Sequence, residues 1–348
     1  MKLETQVNLA SRTTLGVGGN AAHFARIETE AELREGLAWA NARGLAVRVL
    51  GGGSNIVVAD AGFAGLVLEI ALRGTEVTRD GAQVRVRAAA GEPWDDFVAA
   101  MVAQGYQGLE CLSGIPGRVG ATPIQNVGAY GQDVSETITH VATFDTAHSA
   151  VRTFSNEECG FSYRDSFFKS RQPGRFIVTQ VTFQLAATAA PAVRYAELER
   201  AFAAQRKTSP TLAEAREMVL ALRGAKSMLL DAADPNSRSC GSFFVNPVLS
   251  PEQFSAFVVR AQDEGSIPQF PQAGGRVKLS AGWLIEHAGF PRGTRDGAVG
   301  LSTKHALALV AHAGARAADI AQLAQRIRQG VHERFGIQLE PEPVFWGF

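Results

Sequence analysis

The feature that most constrains this sequence is the glycine-rich stretch at residues 113–131, which reads SGIPGRVGATPIQNVGAYG. Glycines let a backbone adopt positive φ and approach a ligand closely, and successive N–H groups in such turns form a nest for a phosphate or another anion. The small apolar residues between the glycines predict a packed, ordered loop and not a flexible linker. Taken alone, the stretch fits either a ligand-cradling loop or a glycine-rich turn between two strands.

The composition is that of a globular protein with more than one domain. The 348 residues exceed the size at which a single core usually stops growing. Lys+Arg and Asp+Glu are equal at 34 each, which argues against a nucleic-acid surface or a polybasic membrane patch. No apolar run approaches the roughly 20 residues of a membrane span, and the N-terminus lacks a secretory pattern. We therefore expect a cytoplasmic protein that binds neither nucleic acid nor membranes.

No metal site is predicted. The three cysteines, Cys111, Cys159 and Cys240, are too widely spaced for a metal-ligand pattern or a disulfide framework, which fits a reducing cytoplasm. The seven histidines form no metal-binding array, and we interpret them as surface or core residues.

A strand–helix–strand pattern precedes a second glycine turn. Residues 20–27 predict a strand, a capping box at residues 29–32 opens a helix that Gly44 ends, and residues 46–50 predict another strand. This unit predicts a parallel strand pair with a right-handed crossover. The last strand runs into GGGSN at residues 51–55, which fits a phosphate-binding turn at the carboxyl end of the strands or an ordinary loop.

Other elements follow from hydrophobic periodicity and from start and stop signals. Residues 16–21 fit the dinucleotide pattern G-x-G-x-x-A, but they neither follow a convincing strand nor open a helix, so we interpret the match as chance. The remaining predicted elements are strands at residues 66–70, 84–88, 138–144, 176–185 and 306–310, and helices at residues 93–105, 195–223 and 316–335. The last helix has an apolar stripe on one face and is capped by Gly336; the stripe comprises Ile320, Leu323, Ile327, Val331 and Phe335.

Three short motifs are ambiguous when each is taken alone. Arg164, in the aromatic run FSYRDSFFK, fits an ion pair with Asp165. Ser242, in GSFFVNP, fits a turn serine, and Glu342 in the tail fits a solvated residue. The sequence contains neither a G-x-S-x-G nucleophile elbow nor a Walker A lysine pattern.

Together, the motifs GGGSN, IPGRVGATPIQNVGAYG, YRDSFFK, GSFFVNP, VKLSAGWLIE and LEPE occur in one order along the chain. Over residues 11–345 this series closely resembles the UDP-N-acetylenolpyruvoylglucosamine reductases, the MurB flavoenzymes of peptidoglycan synthesis. The resemblance implies an α+β fold, with an FAD-binding part of the vanillyl-alcohol-oxidase (PCMH) type in two subdomains and a C-terminal α+β substrate-binding domain. The implied domains are residues 1–71 with 336–348, residues 72–222, and residues 223–335.

The resemblance also implies the reaction. NADPH would reduce the enolpyruvyl group of UDP-N-acetylglucosamine enolpyruvate through non-covalently bound FAD, giving UDP-N-acetylmuramate. We expect a cytoplasmic monomer. The segment VRYAEL carries Tyr195 where the type I branch of the family has a tyrosine on a loop over the substrate.

By the same resemblance, three residues match the catalytic positions: Arg164, Ser242 and Glu342. The substrate-contacting positions are matched by Tyr163, Tyr195, Arg223, Lys226, Asn246 and Lys278. The FAD-binding positions are matched by Gly51, Gly52, Gly53, Ser54, Asn55, Ser113, Ile115, Pro116, Gly117, Gly120, Pro123, Gln125, Asn126, Gly128, Ala129 and Tyr130.

The chemistry of an enolpyruvyl ether gives each catalytic residue a role. Charge develops on the substrate carboxylate during hydride addition, and the planar, permanent cation of Arg164 suits that group. Ser242 would donate the proton to C2 of the substrate. Glu342 would either be protonated or orient a neighbouring donor.

The chain departs from the family pattern at three places outside the catalytic positions. RGAKSMLLDAADP replaces the common RxxKLPDP, so that Arg223 and Lys226 are retained but the following loop is longer. Val245 stands where a lysine is common, and the arginine often found two residues after Glu342 is absent. The alternatives are another flavin oxidase or dehydrogenase of the same fold, acting on an alcohol or hydroxy acid, and a non-enzymatic UDP-sugar-binding protein.

Overall fold

The computed structural model describes residues 1–187, 190–262 and 264–348. Within these residues the strands are β1 Leu3–Asn8, β2 Asn20–Ile27, β3 Val47–Leu50, β4 Ile56–Val58, β5 Phe63–Ile70, β6 Thr75–Asp80, β7 Gln83–Ala89, β8 Tyr106–Gln107, β9 Gly128–Ala129, β10 Gln132–Asp133, β11 Ile138–Asp145, β12 Ala150–Ser155, β13 Phe176–Ala187, β14 Val248–Leu249, β15 Gln269–Pro271, β16 Val277–Leu279, β17 Arg295–Asp296, β18 Val299–Leu301, β19 Leu309–Ala311 and β20 Val344–Trp346. The α-helices are α1 Glu30–Asn41, α2 Trp94–Ala103, α3 Ala196–Ala204, α4 Leu212–Ala225, α5 Pro251–Arg260, α6 Ala281–His287 and α7 Ala317–Phe335.

The chain divides into two compact units, each with a buried apolar core. The first unit comprises Met1–Val7, Ala21–Gly52 and Ala64–Ala225. The second unit comprises Asn8–Asn20, Gly53–Phe63 and Lys226–Phe348. Among the described residues, no helix is both long enough and apolar enough to cross a membrane.

The first unit contains a four-stranded sheet in the order β1-β2-β5-β3. Helix α1 begins at the predicted capping box, in which the Thr29 side chain accepts from Glu32 N–H while the Glu32 carboxylate accepts from Thr29 N–H. The predicted pairing of β2 with β3 is wrong, because β5 lies between them and is the parallel partner of β3. Residues 65–70 of β5 are all buried, as suits a strand with a neighbour on each side.

A larger antiparallel sheet in the first unit runs in the order β12-β11-β13-β7-β6, and β8 also pairs with β13. Helix α2 packs on it through aromatic rings, with the Phe97 and Phe183 centroids 5.3 Å apart. Edge strands β6 and β12 were not predicted. Every residue of β6 is exposed, and so are four of the six in β12, so neither has the apolar alternation that marks a half-buried strand.

Helices α3 and α4 form a separate small layer of the first unit. Their buried residues Leu198, Phe202, Ala215 and Val219 pack around Cys111. The prediction of helices after Tyr195 is confirmed.

The second unit contains two three-stranded sheets, in the orders β14-β16-β15 and β17-β18-β19, and the parallel pair β4 and β20. Helix α7 buries the predicted stripe and ends at Gly336, which has φ +71°. The strand predicted at residues 306–310 starts later, at Leu309, because residues 302–308 form a turn in which Ser302 N–H donates to Ala308 O. Residues 16–19 lead into strand β2 and not into a helix, so the interpretation of the G-x-G-x-x-A match as chance is confirmed.

Candidate active site

In the first unit, the two predicted glycine turns touch each other. A Cβ atom added at Gly52 would lie 2.6 Å from the Cα of Gly117, closer than real Cβ contacts allow. Gly117 itself has φ +134°, a conformation that side chains disfavour. Glycine is therefore required at residue 52, because the backbones of the two turns are in direct contact there.

The long glycine stretch is held by hydrogen bonds along its length. Gly114 N–H donates to Asp95 Oδ1 at 2.5 Å, and Ser113 Oγ donates to the Glu110 carbonyl at 2.7 Å. The side chain of Asn126 is buried, donates to Ser162 O and accepts from Ser135 N–H. These contacts agree with the predicted packed and ordered loop.

Arg164 is tied to the same stretch through its guanidinium group. Its Nη2 donates to Gly128 O at 2.6 Å and its Nη1 donates to Asn126 O at 3.3 Å. The Asp133 carboxylate lies 3.8 Å from Nη1, and the guanidinium carbon lies 5.3 Å from the centroid of the Tyr163 ring. Two backbone carbonyls therefore fix the orientation of this predicted catalytic cation.

Tyr130, near the end of this loop, lies close to two more of the predicted residues, Tyr195 and Arg223. The rings of Tyr130 and Tyr195 meet edge to face, with centroids 5.6 Å apart. Burial raises the pKa of Tyr130 to about 12, although the positive charge of nearby Arg223 acts in the opposite direction. Burial also raises the pKa of Tyr195, and the negative charge of Glu197 adds to this shift. Both hydroxyls are therefore neutral donors near pH 7.

In the second unit, backbone pairing joins three separate predicted motifs. Phe244 bridges Pro341 in antiparallel fashion, and Glu342 N–H donates to Phe243 O at 2.9 Å, which puts Glu342 beside the Ser242 segment. The Asn55 side chain donates to Glu342 O at 3.3 Å. The Asn55 carbonyl accepts from the N–H of Val344, the first residue of strand β20. The GGGSN turn, the serine segment and the tail glutamate therefore meet.

Apolar residues surround the Ser242 segment. Phe243 and Phe244 are buried, with ring centroids 5.3 Å apart. Cys240 is also buried, and burial together with the charge of Glu342 raises its pKa to about 12. The thiol therefore stays protonated near pH 7.

The other predicted substrate residues of the second unit lie on distinct elements. Asn246 Oδ1 accepts from Ala281 N–H at 2.9 Å, at the start of α6. Lys278, on β16, pairs across the sheet with Phe270 and holds its ammonium 5.8 Å from that ring. Lys226 lines a cleft of about 360 Å³ that Trp283 also lines.

That cleft contains cationic residues that the sequence did not indicate. The cations Arg292 and Lys304 line it together with Lys226, and His305 lines it as well. Among the residues that the structure describes, the lining carboxylate is Glu286, which accepts from Arg292 Nε at 2.9 Å. Nδ1 of His305 accepts from Leu307 N–H, so the neutral imidazole carries its proton on Nε2. No spacing pattern links Arg292 with Lys304 and His305, because they come from separate turns.

The glycine turns fit a dinucleotide such as FAD. Gly51 and Gly52 belong to the first unit, with the whole stretch of residues 113–131, and the contact between Gly52 and Gly117 leaves no room for a side chain at Gly52. Backbone N–H groups that are not covered by side chains suit an anionic diphosphate. Neither turn contains the histidine or cysteine that a covalent flavin bond would need.

Comparison with known proteins gives full-length relatives. The chain is 50% identical over 349 residues to the UDP-N-acetylenolpyruvoylglucosamine reductase of Thermobifida fusca, covering 98% of this chain and 97% of the relative. It is 47% identical to that of Salinispora arenicola over 346 residues, covering 98% and 95%. The crystal structure of UDP-N-acetylenolpyruvylglucosamine reductase (MurB) from Thermus caldophilus matches with a TM-score of 0.66 at 28% identity, covering 99% of each chain.

Two domain families match separate parts of the chain. Residues 21–153 match the FAD binding domain, and residues 234–346 match the C-terminal domain of UDP-N-acetylenolpyruvoylglucosamine reductase. Fold and site thus define a flavin-dependent oxidoreductase with a PCMH-type FAD-binding part, as predicted. Within that class, the chain belongs to the UDP-N-acetylenolpyruvoylglucosamine reductase family.

Proposed function

We propose that the chain is a UDP-N-acetylmuramate dehydrogenase, which reduces UDP-N-acetylglucosamine enolpyruvate to UDP-N-acetylmuramate in peptidoglycan synthesis. The observation that carries this proposal is the pairing of the Ser242 segment with Glu342 and Asn55. It brings a proton donor, a carboxyl group and a glycine turn together in a chain that is 50% identical to a named reductase of this type.

The reaction moves one hydride and one proton to the substrate. When bound, FAD supplies two-electron transfer from NADPH to the enolpyruvyl double bond. C3 receives the hydride and C2 the proton, so that one NADPH and one proton are consumed for each product molecule. The chain must therefore stabilise charge on the substrate carboxylate and deliver a proton to C2.

Arg164 is the residue that we assign to the carboxylate. Its charge is permanent, and its planar fork matches the two carboxylate oxygens. The bonds to Gly128 O and Asn126 O orient the guanidinium before substrate binds, and preorganised charge stabilises a transition state more than mobile charge does.

Ser242 is the residue that we assign to proton transfer. A serine is a weak acid, but the carbanion formed at C2 is a strong base, so the transfer is favourable. The neighbouring Phe243 and Phe244 are buried, and Ser242 itself is half-buried. Glu342, next to Ser242 on the paired segment, either donates as the protonated acid or orients the serine hydroxyl.

The cationic cleft of the second unit is suited to the diphosphate of the substrate. Lys226, Arg292 and Lys304 contribute three positive charges, and Glu286 one negative charge. Ammonium and guanidinium groups bind phosphate through charge-assisted hydrogen bonds. This cleft offers a phosphate contact to offset the missing lysine at Val245.

Finer features of the chain are also part of the proposal. On the match of Tyr195, we assign the chain to the type I branch, with a lid over the substrate. The division into residues 1–71 with 336–348, residues 72–222 and residues 223–335 is retained as a functional division. We further propose that the enzyme acts as a monomer in the cytoplasm.

Product analysis tests the proposed function. The purified protein is incubated with NADPH and UDP-N-acetylglucosamine enolpyruvate in D₂O, and the product is analysed by mass spectrometry and NMR. The proposal expects UDP-N-acetylmuramate that carries deuterium at C2, with any deuterium at C3 arising from solvent exchange of the hydrogen on reduced FAD, and no product without NADPH. Substrate oxidation that needs no NADPH would favour a flavin oxidase, and a colourless protein without product would favour a UDP-sugar-binding protein.

A further inference from the structure

Arg118 is an arginine within the long glycine stretch that none of the assignments above includes. A Cβ atom added at Gly51 would lie 3.8 Å from both the Cβ and the Cγ of Arg118. The Arg118 backbone is fixed by a bridge to Pro93, and Val119 N–H donates to Glu92 O. The Arg118 side chain therefore leaves a rigid backbone at the place where the two glycine turns contact each other.

The guanidinium of Arg118 is partly buried and weakly bonded. Its Nη1 donates to Gly91 O at 3.3 Å. Within residues 1–187, 190–262 and 264–348 this is its one side-chain hydrogen bond, and no carboxylate oxygen lies within the 4.0 Å of an ion pair. Burial, followed by the charge of Arg73, lowers the pKa of Arg118, which stays protonated at any physiological pH.

The carboxylates near Arg118 are engaged by other arginines. Glu92 lies 3.1 Å from Arg73, and Glu69 lies 3.9 Å from Arg26. The cluster thus has three guanidinium groups and two carboxylates. Among the described residues of the cluster, Arg118 is the cation without a close counter-ion.

A partly buried cation without a counter-ion is costly unless a ligand supplies the anion. The adjoining glycine turns accommodate a dinucleotide, whose diphosphate carries negative charge. We propose that Arg118 neutralises the diphosphate of bound FAD and so contributes directly to cofactor affinity. This inference rests on the proposed function only in taking FAD as the resident cofactor.

Retention of FAD by the holoenzyme tests the inference. Parent, Arg118→Ala, Arg118→Gln and Arg118→Lys proteins are diluted in steps at low and high ionic strength, and released FAD is followed by its fluorescence. Arg85→Ala, which removes an exposed arginine from β7, is the matched control. Melting temperatures by circular dichroism are recorded for all five proteins.

The inference expects a dissociation constant for FAD about 10- to 100-fold higher in Arg118→Ala and Arg118→Gln, the usual loss for a charged hydrogen bond. Arg118→Lys recovers part of the affinity, and Arg85→Ala matches the parent. Salt weakens FAD binding in the parent more than in the two uncharged variants, because they lack the charge that salt screens.

Two results would overturn it. One is a parent-like dissociation constant and salt dependence in both uncharged variants. The other is unchanged FAD retention together with weaker binding of NADPH, seen as a higher NADPH concentration needed to reduce the flavin. That result would assign Arg118 to the nicotinamide cofactor. If Arg118→Ala does not fold, Arg118→Gln, whose amide can still donate to Gly91 O, decides. A colourless parent would contradict the proposed function itself and not this inference alone.

Discussion

Three residues of the candidate site hold a left-handed backbone that side chains usually avoid. Asn126 has φ +46°, Tyr130 has φ +48° and Arg164 has φ +55°. Such conformations cost of order 1–3 kcal/mol each and persist where the surrounding structure imposes them. Here the Arg164 guanidinium donates to the carbonyls of Asn126 and Gly128 in the same stretch. The site therefore positions these side chains at a cost in backbone conformational energy.

Replacement of Ser242 separates its chemical role from a structural one. In Ser242→Ala the proton donor is lost, so oxidation of the reduced flavin by the enolpyruvyl substrate should slow by about 10²–10⁴-fold. Flavin reduction by NADPH should continue at a near-parent rate. Ser242→Cys restores a donor and should recover part of the activity. Stopped-flow absorbance measures both half-reactions, and a parent rate of reoxidation in Ser242→Ala would make Ser242 a structural residue.

Tyr195 tests whether the segment before α3 binds substrate. Tyr195→Phe removes the hydroxyl but keeps a ring for the edge-to-face contact with Tyr130. Loss of a hydrogen bond to a charged phosphate costs about 1.5–3 kcal/mol, so KM for the sugar nucleotide should rise at least tenfold. Flavin reduction by NADPH should change little. Tyr106→Phe, on strand β8, is the control, and an unchanged KM in Tyr195→Phe would exclude a substrate lid.

At the scale of elements, the site depends on loops that are fixed by contacts with each other and with helices. The turns meet at Gly52 and Gly117, and α2 holds the start of the long stretch through Asp95 and Gly114. Each of these contacts belongs to one unit and can be perturbed alone.

Adjacent glycines give a matched test of the loop contact. In Gly52→Ala the new Cβ would overlap the Gly117 backbone, which has no flexible atoms to yield, and overpacking of this kind typically costs about 1–3 kcal/mol. Gly51→Ala places its Cβ at ordinary contact distances of 3.7–3.8 Å. We expect a lower melting temperature for Gly52→Ala than for Gly51→Ala in thermal denaturation. Equal melting temperatures would contradict the contact.

Asp95 links α2, the glycine stretch and α4. It accepts from Gly114 N–H and, at 2.6 and 2.8 Å, from the two terminal nitrogens of Arg216. Burial opposes ionisation of Asp95, but the hydrogen bonds from Arg216 and Gly114 outweigh it, so the pKa of Asp95 is lowered. Its stabilising contribution is complete above the unfolded pKa of about 3.9 and is lost as the pH falls through the lower folded value.

Asp95→Asn should therefore lower stability at neutral pH and make stability less dependent on pH in acid. Urea unfolding between about pH 2 and pH 7 measures the effect. Asp96→Asn, at the adjacent exposed position of α2, is the control. A parent-like acid dependence in Asp95→Asn would show that the ion pair contributes nothing.

At the scale of the whole molecule, the sequence predicted the elements that carry local signals. The capping box of α1, the stripe of α7, the buried strands β5, β11 and β13 and the alternating strand β7 are of this kind. Exposed edge strands β6 and β12 carry no apolar alternation, so the sequence did not predict them. The position of β5 between β2 and β3 depends on tertiary packing, which no local sequence pattern encodes.

The candidate site was predictable as a set of motifs but not as an arrangement. The motifs named Arg164, Ser242 and Glu342, whereas the carbonyl contacts of Arg164 depend on the folded loop. Cleft residues such as Arg292 and Lys304 come from separate turns, and their convergence follows only from the fold.

The central claim is that one chain couples NADPH oxidation to reduction of an enolpyruvyl sugar nucleotide through bound FAD. The most direct measurement is the flavin absorbance of the purified protein without oxygen, with NADPH added first and UDP-N-acetylglucosamine enolpyruvate second. The account predicts that NADPH bleaches the flavin band and that the sugar nucleotide restores it in stoichiometric amount. A flavin band that NADPH bleaches but the sugar nucleotide leaves bleached would contradict the account.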